Sequence, residues 1–115
     1  MVLSLTLTID ERHASRRASV YLQGLAAGLR GSHDAEAAMC EEYAATLARL
    51  GSSDGPVRIE AEQKLHVEQG AFLLEGIRNG FDNADLDLGA DAVERDIQGL
   101  TDITLRYNTE AGRQL

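Results

Sequence analysis

The chain has 115 residues, 43% of them hydrophobic and 26% charged, with a formal net charge of −8. That is the size and composition of one ordinary globular domain, and the negative charge excludes a non-specific nucleic-acid binder or a protein docked on anionic lipid, since both need a basic surface. A single cysteine excludes an internal disulfide, and no run approaches the ~20 apolar residues of a membrane span; with no signal-peptide pattern, these features point to a cytoplasmic protein.

In chain order, the first element is "VLSLTLTI" at residues 2–9, where Leu3, Leu5, Leu7 and Ile9 alternate with Ser4, Thr6 and Thr8. That is the period of a half-buried strand. Thr8 and Glu11 then have the spacing of a capping box. The helix they open presents Ala14, Ala18, Tyr21, Leu22, Leu25 and Leu29 on one face and stops at Arg30 and Gly31. Ser32 is placed to cap a second helix, with Met39, Cys40, Tyr43, Leu47 and Leu50 as its buried face and Gly51 as its end.

"GSSDGP" is the clearest break in the chain, and Pro56 suits the first position of a third helix running from about Pro56 to Phe81. Its apolar residues are Ala61, Leu65, Phe72, Leu73, Ile77 and Phe81. "DNADLDLG" reads as a polar loop, and Asp91 with Glu94 has the spacing to open a fourth helix. Val93, Ile97, Leu100, Thr104 and Tyr107 form one face of that helix. Residues 102–108 read first as its continuation, but Ile103, Leu105 and Tyr107 also alternate as a strand would.

The expected fold is therefore mainly α: an antiparallel up-and-down bundle of about four helices over residues 10–115, preceded by a strand or arm at residues 1–9. A lone strand invites pairing. Its partner is residues 102–107, the same strand of a second copy, or the edge of a different protein; the remaining reading is a helix extension or disordered tail. The homodimer is preferred.

Candidate chemistry is sparse. His66, Gln69, Gly70 and Gly76 are spaced as in histidine phosphotransfer domains, and the segment His66–Gly76 resembles theirs. Those domains are helical bundles of similar size, so the resemblance implies His66 as phosphoacceptor and Gly70 as the opening for the donor. Gln69 stands where that family has a lysine. Between the last two helices, Asn83, Asp85, Asp87, Asp91 and Glu94 fall at positions 1, 3, 5, 9 and 12 of a twelve-residue window. That resembles an EF-hand loop and implies Ca²⁺, although the glycine is at the seventh place (Gly89) rather than the sixth. Di-iron bundles use Glu-x-x-His pairs; only His33 with Glu36, and Glu62 with His66, come near, in the wrong order or spacing. Cys40, amid Met39 and Tyr43, reads as a small buried hydrophobe.

No convergent constellation of reactive groups is evident, so no enzyme, cofactor or metal is expected. The expected function is a small non-enzymatic interaction module, adaptor-, chaperone- or inhibitor-like. It would act as a homodimer through Leu3, Leu5, Leu7 and Ile9 and bind another, basic protein. The alternatives are phosphotransfer through His66 and a calcium-responsive helix pair at residues 83–94.

Overall fold

A computed structural model describes residues 1–115. Its elements in chain order are β1 (Val2–Thr6), α1 (Ile9–Leu29), α2 (Asp34–Gly51), β2 (Pro56–Glu60), α3 (Ala61–Asn83) and α4 (Asp87–Arg113). The helices run up and down in a ring. Each packs on the next in sequence, and α4 closes back on α1. The chain is mainly α, with one small antiparallel sheet of two strands. No helix is long and apolar enough to cross a membrane.

Capping chemistry fixes where α1 starts. The Thr8 side chain accepts from the Glu11 amide at 3.0 Å, and Glu11 Oε1 accepts from the Thr8 amide at 2.7 Å. At its far end Gly31 adopts φ 88°, a left-handed conformation that releases the chain into α2. The residue before α2 is His33 rather than Ser32, and it makes no side-chain cap. Instead the Asp34 carboxylate accepts from the Gly31 amide at 2.7 Å.

The opening strand finds its partner inside the chain, but at none of the places expected. β1 pairs antiparallel with β2, with Leu3 opposite Ile59 and Leu5 opposite Val57. Residues 56–60 are thus a strand and not the first turns of helix three. The reason is local: Val57 and Ile59 are β-branched and alternate with Arg58 and Glu60. Pro56, which has no N–H to donate, sits at the strand end opposite Thr6. Helix α3 begins only at Ala61, where the Glu60 amide donates to Gln63 Oε1 at 2.9 Å.

Residues 102–108 are helical, so they cannot complete the sheet; they clamp it instead. Arg106 donates to the Thr6 carbonyl at 2.6 Å and pairs with the buried Glu11 carboxylate. The Tyr107 hydroxyl donates to the Met1 carbonyl at 2.7 Å. The unpaired strand that motivated a dimer is therefore paired by β2 and held at its ends by α4. Leu3, Leu5 and Leu7 lie in the main core with Leu22, Leu47, Ile59 and Leu100, and do not form a free surface. Ile9 leaves the strand pattern: it is the first residue of α1 and is exposed.

One glycine sets the spacing between α1 and α4. A Cβ built on Gly99 would lie 2.5 Å from the Ala14 Cβ, whereas one on Gly76 would meet nothing within 4 Å. Gly99→Ala is therefore expected to lower stability by roughly 1 kcal/mol, the cost of overpacking exceeding the better helix propensity. Gly76→Ala should raise it by a similar amount, because only the propensity term acts there. Urea denaturation of both variants checks the opposite signs.

Candidate functional site

Helices α2 and α3 run antiparallel, and their seam carries two adjoining features: a polar cluster toward the sheet and an apolar groove beyond it. The cluster is centred on His66, which is only 8% exposed. Its Nδ1 lies 2.7 Å from the Thr46 hydroxyl. Its Nε2 faces Glu42 Oε1 at 3.5 Å, and no hydrogen bond joins them. Glu62, one turn before His66 in the first turn of α3, brings a second carboxylate. One ligand atom from each of Glu42, Glu62 and His66 lies within 4.8 Å of the others. Both glutamates are exposed.

Tyr43 links the two features. Its ring is tilted 48° against the His66 imidazole at a centroid distance of 5.3 Å, and it also lines the groove. Leu25 and Leu29 of α1, Met39 and Cys40 of α2, and Phe72 and Leu73 of α3 complete the apolar lining, with Glu36 and Gln69 at the margin. The groove has a volume of about 360 Å³. Two of its walls are unusually open: Phe72 is 68% exposed and Met39 49%. Cys40 is buried in its floor, and burial pushes its thiol pKa up, which keeps it protonated and unreactive.

The sequence had put both Phe72 and Leu65 in the core face of α3. The structure turns that helix so that Val67, Gly70 and Leu74 face inward with His66, and Leu65 and Phe72 face out. The same rotation bears on the phosphotransfer reading. Gly70 points into the bundle, where a Cβ would lie 3.1 Å from Leu47 Cδ1, while Gln69 is exposed. His66, Gln69 and Gly70 therefore do not share an open face, and the imidazole that would take the phosphoryl group is buried beside a carboxylate.

The acidic window is not brought together either. Asn83 is the last residue of α3, and Asp87, Asp91 and Glu94 already belong to α4, so only Ala84–Leu86 lie outside the helices. Glu94 pairs with Arg78 across the α3–α4 contact. An EF-hand ligand sphere needs a continuous loop folded around the ion, and here most of the window is helix. The expected cap at Asp91 is absent for the same reason: α4 starts about one turn earlier.

The residue that sequence reading missed is Glu42. Its signal was available in the topology: Glu42 and Thr46 are one turn apart on α2, Glu62 and His66 one turn apart on α3, and antiparallel packing sets the pairs side by side.

Comparison with protein-family models, with curated proteins and with solved structures finds no match for this chain.

Proposed function

We propose that the protein is a non-enzymatic interaction module that binds an amphipathic helix of a basic partner in the α2–α3 groove. The observation that carries this reading is the pair Phe72 and Met39, large apolar side chains left two-thirds and half exposed on either side of an apolar floor. Helix-in-groove recognition uses such a surface, with a few apolar anchors of the ligand filling the groove. Exposed aromatic and methionine side chains are typical of the centres of such contacts.

Charge argues for the nature of the partner. Glu36 borders the groove, and Glu75 lies one turn beyond Phe72 on α3. Neither has an ion-pair partner within the chain, unlike Glu41, which Arg30 holds, and Glu68, which Lys64 holds. Together with a net charge of −8, this favours lysine and arginine on the flanks of the bound helix.

The test uses a fluorescent amphipathic peptide of leucine and lysine and a scrambled control with no apolar face. Wild-type protein should bind the first and not the second, more weakly as salt rises. Phe72→Ser should weaken binding at least tenfold, or about 1.4 kcal/mol, without lowering the unfolding midpoint. Equal binding of the scrambled peptide, or indifference to Phe72→Ser, would overturn the reading. Light scattering addresses the other occupant: a wild-type dimer that Phe72→Ser makes monomeric would assign the groove to a second copy.

A further inference from the structure

We infer that Glu42, Glu62 and His66 form a binding site for one divalent transition-metal ion at the α2–α3 seam. The inference is independent of what occupies the apolar groove.

Three properties of the cluster support it. First, the donor set is mixed. One imidazole nitrogen and two carboxylates suit zinc and its first-row neighbours, whereas calcium and magnesium prefer oxygen alone. Second, the spacing fits. Ligand atoms bound tetrahedrally at ~2.1 Å from an ion stand roughly 3.4 Å from one another. His66 Nε2 and Glu42 Oε1 are 3.5 Å apart with no hydrogen bond between them, the separation of two ligands of one ion. Glu62 lies within 4.8 Å of both, and its exposed side chain needs only a rotamer adjustment to close the remainder. Third, the imidazole is prearranged. The His66 side chain is only 11% exposed, and Thr46 holds its Nδ1 at 2.7 Å. In the tautomer whose Nδ1–H donates to the threonine hydroxyl, the Nε2 lone pair is directed toward the carboxylates. A hydrogen bond of that kind to the distal ring nitrogen is the usual support of a metal-binding histidine.

The cluster is more than an acidic patch. Its nitrogen donor belongs to a largely buried imidazole oriented by Thr46, and Nε2 faces Glu42 Oε1 at 3.5 Å. Other ion-pairing glutamates in the chain, such as Glu94 with Arg78, have a cation in reach. No lysine or arginine forms an ion pair with Glu42 or Glu62. A divalent ion would neutralise both carboxylates and tie α2 to α3. With three protein ligands, and both glutamates open to water, it would keep a position for water or a further ligand.

The experiment is a Zn²⁺ titration of the purified chain, followed by competition with a chromogenic chelator and by thermal unfolding. One equivalent should bind and raise the unfolding midpoint, and Ca²⁺ or Mg²⁺ at the same concentration should not. Because His66 is buried and its replacement can unfold the protein, the exposed ligands carry the test. Glu62→Gln and Glu42→Gln should each weaken Zn²⁺ binding at least tenfold while leaving the metal-free midpoint unchanged. His13 and His33 lie outside the cluster, so the double variant His13→Asn, His33→Asn should bind as wild type does. Absence of stoichiometric binding, wild-type affinity in either glutamate variant, or loss of binding in the His13, His33 variant would each overturn the site.

Discussion

Replacing Leu3 with Asp is expected to abolish cooperative folding, or to leave a chain that melts far below the wild type. Leu3 is 2% exposed and sits opposite Ile59, which is fully buried, on the inner face of the ribbon. Truncation to Ala alone should cost about 2–5 kcal/mol, from lost burial and the cavity left behind. An ionised Asp adds the desolvation of a charge with no cation near it. The sum approaches the 5–15 kcal/mol that holds a typical domain together. The variant Ser4→Asp is the control. Ser4 is on the outer face of the same strand, opposite Arg58, and a carboxylate there should be tolerated. Circular dichroism during urea denaturation reads both variants, and light scattering reads their mass. A Leu3→Asp protein that stays as stable as wild type would show that the inner face of β1 is not part of this core.

Arg17→Met should give the next largest loss, about 3 kcal/mol, by stranding a buried carboxylate. Asp96 is fully buried, and its Oδ1 accepts from Arg17 Nε at 2.8 Å. Its Oδ2 has no partner at all. The Arg17 side chain is 56% exposed, so it reaches in from solvent to serve the acid. The hydrogen bond to Asp96 is the main reason the Arg17 pKa is raised, against an opposing desolvation. The figure is at the lower end for a broken buried pair, because Arg17 is hydrated in either state. Adding Asp96→Asn to Arg17→Met should recover part of the loss, since the amide has the same shape without the charge. A double-mutant cycle from urea midpoints measures the coupling. A loss below about 0.5 kcal/mol would mean that the pair behaves as an ordinary surface ion pair.

Much of the bundle was legible in the sequence because its signals are local. Thr8 and Glu11 mark the start of α1 three residues apart, and both halves of that capping box form. The faces of α1, α2 and α4 follow a helical period, with Ala18, Leu47 and Leu100 all buried, but Met39, expected on the buried face of α2, lies at its edge and is 49% exposed. The second strand was hidden by its length. Residues 56–60 carry just two inward side chains, Val57 and Ile59, and they abut a helix without an intervening turn. A helix-initiating proline and a strand-opening proline look alike at that range.

The orientation of α3 was hidden for a different reason. Leu65, Val67, Ala71, Phe72, Leu73 and Leu74 surround the helix almost completely, so no single stripe identifies the core side. The glycine decides it: Gly70 is the position where Leu22 and Leu47 press closest, and that turns Phe72 outward. Both proposed sites depend on this rotation. It exposes Phe72 to the groove, and it carries His66 inward to meet Glu42, a contact between helices that no spacing within one helix encodes.

The pairing of β1 with β2 also imposes an order in time. As the chain is synthesised, residues 2–6 precede their partner and wait with an unpaired edge until residue 60 has followed. The α1–α2 hairpin, whose contacts lie closer in sequence, can close during that interval. The clamp by Arg106 and Tyr107 comes later still, when α4 is nearly complete. This strand is thus made before every element that secures it, and its clamp is among the last contacts to form. For that period its apolar face is an association hazard that the finished molecule no longer shows.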